Sequence, residues 1–184
     1  MGVDNPAARF RTQLSQRLRR LAVRAGLGGG PSSFTRVSYL IPRQVVLITG
    51  RHQQSEALWP VDWHMPVSLE PPMYAFSCEA SGHGARVVRN SGAFVVNFVG
   101  AEHESAILAA GATSGDGREK RVALGLNAEE CAFVDAPRLS IAQGWLECAV
   151  LDQQTWGSRV LVVGQVRHAN SPGPVASLFH ERPQ

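Results

Sequence analysis

Five short runs of apolar, largely β-branched residues do most to restrict the fold. They cover residues 45–49, 73–78, 94–99, 143–151 and 160–166, and clusters of Gly, Pro, Asn and Asp separate them. Four of the five are continuously apolar over several residues. That pattern suits strands covered on both faces, as in a tightly closed barrel or a sandwich core. Only two intervening segments have helical patterning: residues 85–90, stopped by Ser91-Gly92, and residues 102–110, stopped by Gly111. Two helices are too few for a βαβ repeat. The expectation is a mainly β chain, an antiparallel barrel with inserted helices.

Composition agrees and narrows the function. A chain of 184 residues with 44% hydrophobic and 18% charged residues can bury a sizeable core. No apolar run reaches the ~18–20 residues of a membrane-spanning helix. Basic charge is supplied by seventeen Arg and one Lys, Lys120. Six of the arginines (Arg9, Arg11, Arg17, Arg19, Arg20, Arg24) stand in the first 25 residues, opposed by Asp4 alone. That head carries +5 and the rest of the chain −2, within a total of +3. The body is mildly acidic, so no nucleic-acid groove is expected.

Within the head, Phe10, Leu14, Leu18 and Leu21 recur at helical spacing, and residues 26–33 follow as a Gly-rich linker. The helix suits membrane-surface contact, a partner, or packing on its own domain. Its Arg-rich, acid-poor character also fits an organellar presequence, whereas a secretory signal fails for want of an apolar stretch. Cys78, Cys131 and Cys148 have no metal or redox spacing, read as buried free thiols, and suit a reducing, cytoplasmic setting.

Two segments can carry chemistry. Residues 57–72 hold two Trp, His64, Asp62 and four Pro, and read as a rigid loop with aromatic walls. Such a loop holds a planar ligand or is simply pinned by Trp burial. Ser81-Gly82-His83-Gly84-Ala85-Arg86 follows a strand and opens a helix. Its glycines permit close backbone approach, its free N–H groups suit an anion, and Arg86 can add a charged contact. Turn and cap chemistry explains the same residues without a ligand. No nucleophile elbow and no metal-ligand spacing is present.

These pieces together resemble a known family. Residues 42–49 (Pro-Arg-Gln-Val-Val-Leu-Ile-Thr), 65–72 (Met-Pro-Val-Ser-Leu-Glu-Pro-Pro) and 91–97 (Ser-Gly-Ala-Phe-Val-Val-Asn) are similar to motifs of the flavin reductase-like, FMN-binding split-barrel family. Ser114-Gly115, Ala136-Pro137, Leu146-Glu147-Cys148 and Val163-Gly164-Gln165-Val166 follow in the family's order, so the resemblance spans roughly residues 36–170. It implies a six-stranded antiparallel Greek-key barrel with flanking helices, a homodimer, and FMN rather than FAD as cofactor. NADH or NADPH is then the reductant, and a flavin-dependent monooxygenase or another electron acceptor the partner. No catalytic side chain and no metal are implied.

Carried over by position, the resemblance puts Pro60, Val61, Asp62 and Trp63 beside the flavin ring. Ser77 and Cys78 end the strand before the phosphate turn, and Ser81, His83, Gly84, Ala85 and Arg86 form that turn. Asn97 is retained. Trp156 and Arg159 fall on the nicotinamide side, where the family's frequent Asp-His pair is replaced by Ser158 and Arg159. The family's usual phosphate-binding Arg and Thr or Ser are replaced by Gly82 and Gly84, which leaves backbone N–H groups, His83 and Arg86 to do that work. The expected organisation is a basic helix and linker (1–30), a split-barrel domain (31–170) and a tail (171–184). The expected activity is that of an FMN-dependent NAD(P)H:flavin reductase. The alternatives are a flavoredoxin-like electron carrier and a non-enzymatic split-barrel binding protein.

Overall fold

The computed structural model describes residues 43–113 and 115–170, and the backbone of 179–180. Expectations for the basic head and linker, and for the tail beyond the backbone of 179–180, lie outside the described residues. The elements run β1 (Arg43–Gln44), β2 (Val46–His52), β3 (Ser55–Val61), β4 (His64–Leu69), β5 (Pro72–Glu79), α1 (His83–Ser91) and β6 (Ala93–Phe98). After a 3-10 turn (Ala101–His103) come α2 (Glu104–Ala112), α3 (Gly117–Ala123), β7 (Ala128–Glu130), β8 (Pro137–Leu139), β9 (Gly144–Trp156), β10 (Arg159–Asn170) and β11 (Phe179–His180).

Seven strands form one sheet in the order β3-β2-β6-β9-β10-β5-β4, every pair antiparallel. Its two edges, β3 and β4, are consecutive in the chain and joined by only Asp62 and Trp63. The two-residue link draws the end of one edge strand to the start of the other, so the sheet curls into a barrel that stays split, with no ladder between β3 and β4. The Ser77 N–H donates to the Trp63 carbonyl at 2.8 Å, carrying the β4–β5 pairing one residue into that link. The result is the expected antiparallel barrel with flanking helices. The sheet counts seven strands rather than six because residues 57–72, read as a loop, supply the end of β3 and all of β4. Their prolines mark sheet edges, since Pro cannot donate to a ladder. Pro60 lies in one edge strand, and Pro66 lies in the other beside its register shift.

The continuous apolar runs have the physical cause inferred for them. On β2, Val46 and Ile48 point into the barrel with Phe76, Phe94 and Val162, while Leu47 points outward to Leu58, Ile107 and Leu139 under α2. Both faces are covered, so polar alternation is lost. Phe76 and Phe94 meet edge to face at 4.9 Å, both fully buried, each worth roughly 1.5–3 kcal/mol of transfer free energy. Helix α1 stops at Gly92, whose φ of 69° is left-handed and whose N–H returns to Val88 O at 3.0 Å.

Three details differ from the sequence expectation. Helix α3 was not foreseen; its cap is Asp116, whose side chain accepts from Arg118 N at 2.8 Å. Helix α2 runs through Gly111 to Ala112 instead of stopping there. Cys78 and Cys148 are buried free thiols as expected, but Cys131 is half-buried.

Candidate functional site

The ends of β3 and β5, the start of α1, and the facing parts of α2 and α3 enclose a cleft of about 180 Å³. Leu58, Trp59 and Cys78 form its apolar wall. Burial pushes the Cys78 thiol up to about 11, against the pull of Arg159 and Arg89, so the thiol stays protonated.

Helix α1 enters the cleft with a bare N-terminus. Gly82 is its N-cap, no side chain caps it, and no acidic residue stands in its first turn. The N–H groups of His83, Gly84 and Ala85 have no acceptor within the helix, and the positive end of the helix dipole lies there. Gly82, His83, Gly84 and Ala85 all line the cleft. A Cβ on Gly84 would lie 2.6 Å from the Trp59 ring carbons, so the close approach that demands glycine is the helix's own contact with this indole. The sequence expectation named a ligand as the reason for this glycine, and the indole contact is a reason beside it.

His83 is fixed at both nitrogens. Its Nε2 lies 2.9 Å from the Glu56 carbonyl and its Nδ1 lies 3.2 Å from Arg86 Nη2. A guanidinium only donates and a carbonyl only accepts, so the partners assign the ring proton to Nε2. Arg86 is exposed and is not among the residues lining the cleft.

The cation that does line the cleft is Lys120, which the sequence reading did not select. Its Nζ donates to Leu58 O at 3.3 Å and Ala110 O at 3.4 Å. Burial holds its ammonium below the usual lysine range. The available signal was the cap Asp116 with Glu119 three residues later, which predicts a short helix carrying Lys120.

Four further selected residues gather where the barrel closes. Asp62 is paired with Arg43, Oδ2 to Nη2 at 2.9 Å and to Nε at 3.2 Å. Arg159 lies over the Trp63 indole, 4.6 Å from its centroid. The same Arg159 donates to Ser77 O at 2.9 Å and Ser77 Oγ at 3.4 Å. Ser77 and Cys78 are consecutive on β5, so this cluster adjoins the cleft wall.

The remaining selected residues lie apart. Pro60 packs under α2, where a Cβ on Gly111 would come within 2.9 Å of its ring, and Val61 is in the barrel core. Ser81 is exposed and donates to Glu79 Oε1 at 3.1 Å. Trp156 is 70% exposed beside the β9–β10 turn. Asn97 is fully buried, and its amide joins Leu47 O, Thr49 Oγ1 and Leu139 N at 3.0, 3.0 and 2.8 Å. It fastens β8 to the sheet and lies outside the cleft. No group of three or more metal-ligating side chains occurs among the described residues.

A family model, the flavin reductase like domain, matches residues 38–182. The chain belongs to the flavin reductase-like family. This family member is 27% identical over 132 residues to an uncharacterized protein of Archaeoglobus fulgidus, 72% of this chain and 74% of that one. Among solved structures it is similar to the NADH:FAD oxidoreductase of Streptomyces globisporus (TM-score 0.74, 18% identity, 82% and 88% of the two chains). It is similar also to nitrilotriacetate monooxygenase component B of Mycobacterium thermoresistibile (0.73, 19%, 82% and 82%) and to flavoredoxin of Methanosarcina acetivorans (0.64, 22%, 71% and 69%). Against one longer chain, from Sinorhizobium meliloti, it spans about half, 52%. At these identities the structures show the split-barrel fold alone. Among the described residues no helix is long and apolar enough to cross a membrane.

Proposed function

We propose that the cleft binds FMN and that the protein is an FMN-dependent oxidoreductase of the NAD(P)H:flavin reductase type. The observation that carries this reading is that the uncapped N-terminus of α1, the ammonium of Lys120 and an aromatic wall converge on one cleft. A phosphate group suits the first two, and a planar ring the third. When bound, FMN supplies the redox chemistry, and the missing acid–base triad is then no obstacle. The chain's own residues bind and orient. Backbone N–H groups at 83–85 and Lys120 hold the phosphate, Leu58 and Trp59 exclude water, and the closure around Asp62 and Trp63 sets the ring's edge. Asp62 fits this task because Arg43 neutralises it. One lysine and one helix end suit a single phosphate, which favours FMN over FAD.

NADH or NADPH is the proposed reductant. A second reading, a flavoredoxin-like electron carrier, is favoured by Arg159: its guanidinium is spent on Ser77 and Trp63 and is not offered to a nicotinamide nucleotide. The proposed assembly is a homodimer, supported by the apolar edge strand β4. The similarity to a monooxygenase component supports a monooxygenase as electron acceptor. Free cysteines support a cytoplasmic setting.

The test is the absorbance spectrum of the purified protein, identification of any released flavin, and anaerobic mixing with NADH or NADPH. A flavin spectrum, FMN on release and rapid bleaching are expected. A flavin spectrum without bleaching leaves the electron carrier. A colourless protein that takes up no added FMN overturns both.

A further inference from the structure

We propose that Glu56 is the positioning residue of the cleft, its buried carboxylate holding α3 by two arginines so that Lys120 is presented to the bound anion. The inference rests on the FMN reading for its ligand, though not for its geometry. Glu56 lies on β3, 2% exposed. Its Oε1 accepts from Arg118 Nη2 at 3.3 Å and its Oε2 from Arg121 Nη2 at 3.4 Å. Both arginines are on α3 and flank Lys120 in the sequence. Arg51 is a third partner at 3.4 Å, but it is bound more closely by the surface carboxylates Glu130 and Asp135.

A carboxylate removed from water needs such partners. The tether also has a geometric reason to matter. Helix α3 has only seven residues, and a helix so short depends on tertiary contacts. Gly117 lets it approach until a Cβ there would lie 2.6 Å from the Ala57 backbone. The main chain of Glu56 adds two further links: its N–H donates to Asp116 Oδ2 at 3.0 Å and its carbonyl receives His83 Nε2 at 2.9 Å. Those links survive a side-chain substitution, so Glu56→Gln isolates the tether to the arginines.

Charge and position predict opposite outcomes. Loss of a carboxylate near an anion site tightens binding by charge alone. Loss of the Lys120 position weakens it. We expect Glu56→Gln to raise the FMN dissociation constant about tenfold, or ~1.4 kcal/mol. Lys120→Met should do at least as much, and the double variant should bind no worse than Lys120→Met. A folded Glu56→Gln protein with unchanged or tighter FMN binding, or full additivity with Lys120→Met, overturns the proposal.

A second readout needs no flavin. Lys120 is the single lysine of the chain, so reductive 13C-methylation gives one lysine NMR signal. It should move and titrate nearer to an exposed lysine in Glu56→Gln; an unmoved signal overturns the proposal. If the wild type takes up no flavin, the FMN reading fails and this signal still decides the tether. Should Glu56→Gln not fold, Arg118→Gln decides it instead, because Arg118 is 57% exposed at its side chain. Its Lys120 signal should shift in the same direction, and an unmoved signal overturns the proposal.

Discussion

Gly84 and Trp59 are in contact so close that any Cβ on residue 84 would overlap the indole, at 2.6 Å from both Cε3 and Cζ3. Helix α1 meets β3 through this pair, and the cleft takes its shape from it. Gly84→Ala should therefore destabilise the protein by about 1–3 kcal/mol, the usual range for overpacking, even without flavin. Chemical denaturation of the flavin-free protein measures it. A second change, Trp59→Leu, should recover part of the loss by opening the space. A Gly84→Ala protein of unchanged stability would show that the indole moves aside freely.

The division of labour between the two cations near the cleft is testable. Lys120 lines the cleft, whereas Arg86 is exposed and directed to His83. Lys120→Met is expected to weaken FMN binding by ~1.5–3 kcal/mol, the range for a charged hydrogen bond. Arg86→Ala, a surface change, should cost within about 0.5 kcal/mol of stability and little affinity. Fluorescence titration with FMN compares them. A larger effect at Arg86 would return the phosphate to the outer side of the turn.

How much of this was legible depended on burial. Strands β2, β5, β6, β9 and β10 announced themselves because their residues are covered on two faces or locked in ladders. Strand β4 did not: Met65, Val67 and Leu69 face outward, and Pro66 argued against a strand until its edge position was known. Helix α3 has no apolar stripe, with Val122 70% exposed, so its ends were the sole signal. The turn at residues 81–86 was legible as a turn. Its partner Lys120 was not, because 35 residues separate it from Ala85 and only the fold brings them together. Asn97 was legible in the motif of residues 91–97, and the structure adds that its amide clamps β8 to the sheet.

His64 gives the protein a pH dependence. Its Nε2 lies 2.8 Å from Gln44 O and its Nδ1 2.7 Å from Tyr74 Oη. The carbonyl must accept, so Nε2 carries the proton and the Tyr74 hydroxyl donates to Nδ1. Burial pushes the imidazole pKa below its usual value, opposed in part by the Gln44 carbonyl and by Asp62. The folded state thus binds fewer protons than the unfolded state between the lowered value and ~6.5. This contribution is complete above that window and is lost as pH falls through it. Denaturation midpoints should fall with pH below about 6.5, and His64→Gln should flatten that slope. A slope unchanged in His64→Gln would assign it to other groups.

The edge strand β4 argues for self-association. Met65, Val67 and Leu69 are 56%, 48% and 90% exposed, on a strand whose outer ladder has no partner among the described residues. Exposed apolar edges are liabilities unless something covers them, and between Pro66 and Glu70 no proline or charge interrupts this one. A second copy of the chain, laid against this edge, would bury all three side chains. Val67→Lys places a charge at the centre of that surface without touching the core. It should convert the dimer to monomer in sedimentation velocity while leaving the denaturation midpoint of the isolated monomer within about 0.5 kcal/mol. A variant that stays dimeric would move the interface elsewhere. A wild type that sediments as a monomer would remove the homodimer from the proposal and leave the cleft to work within a single chain.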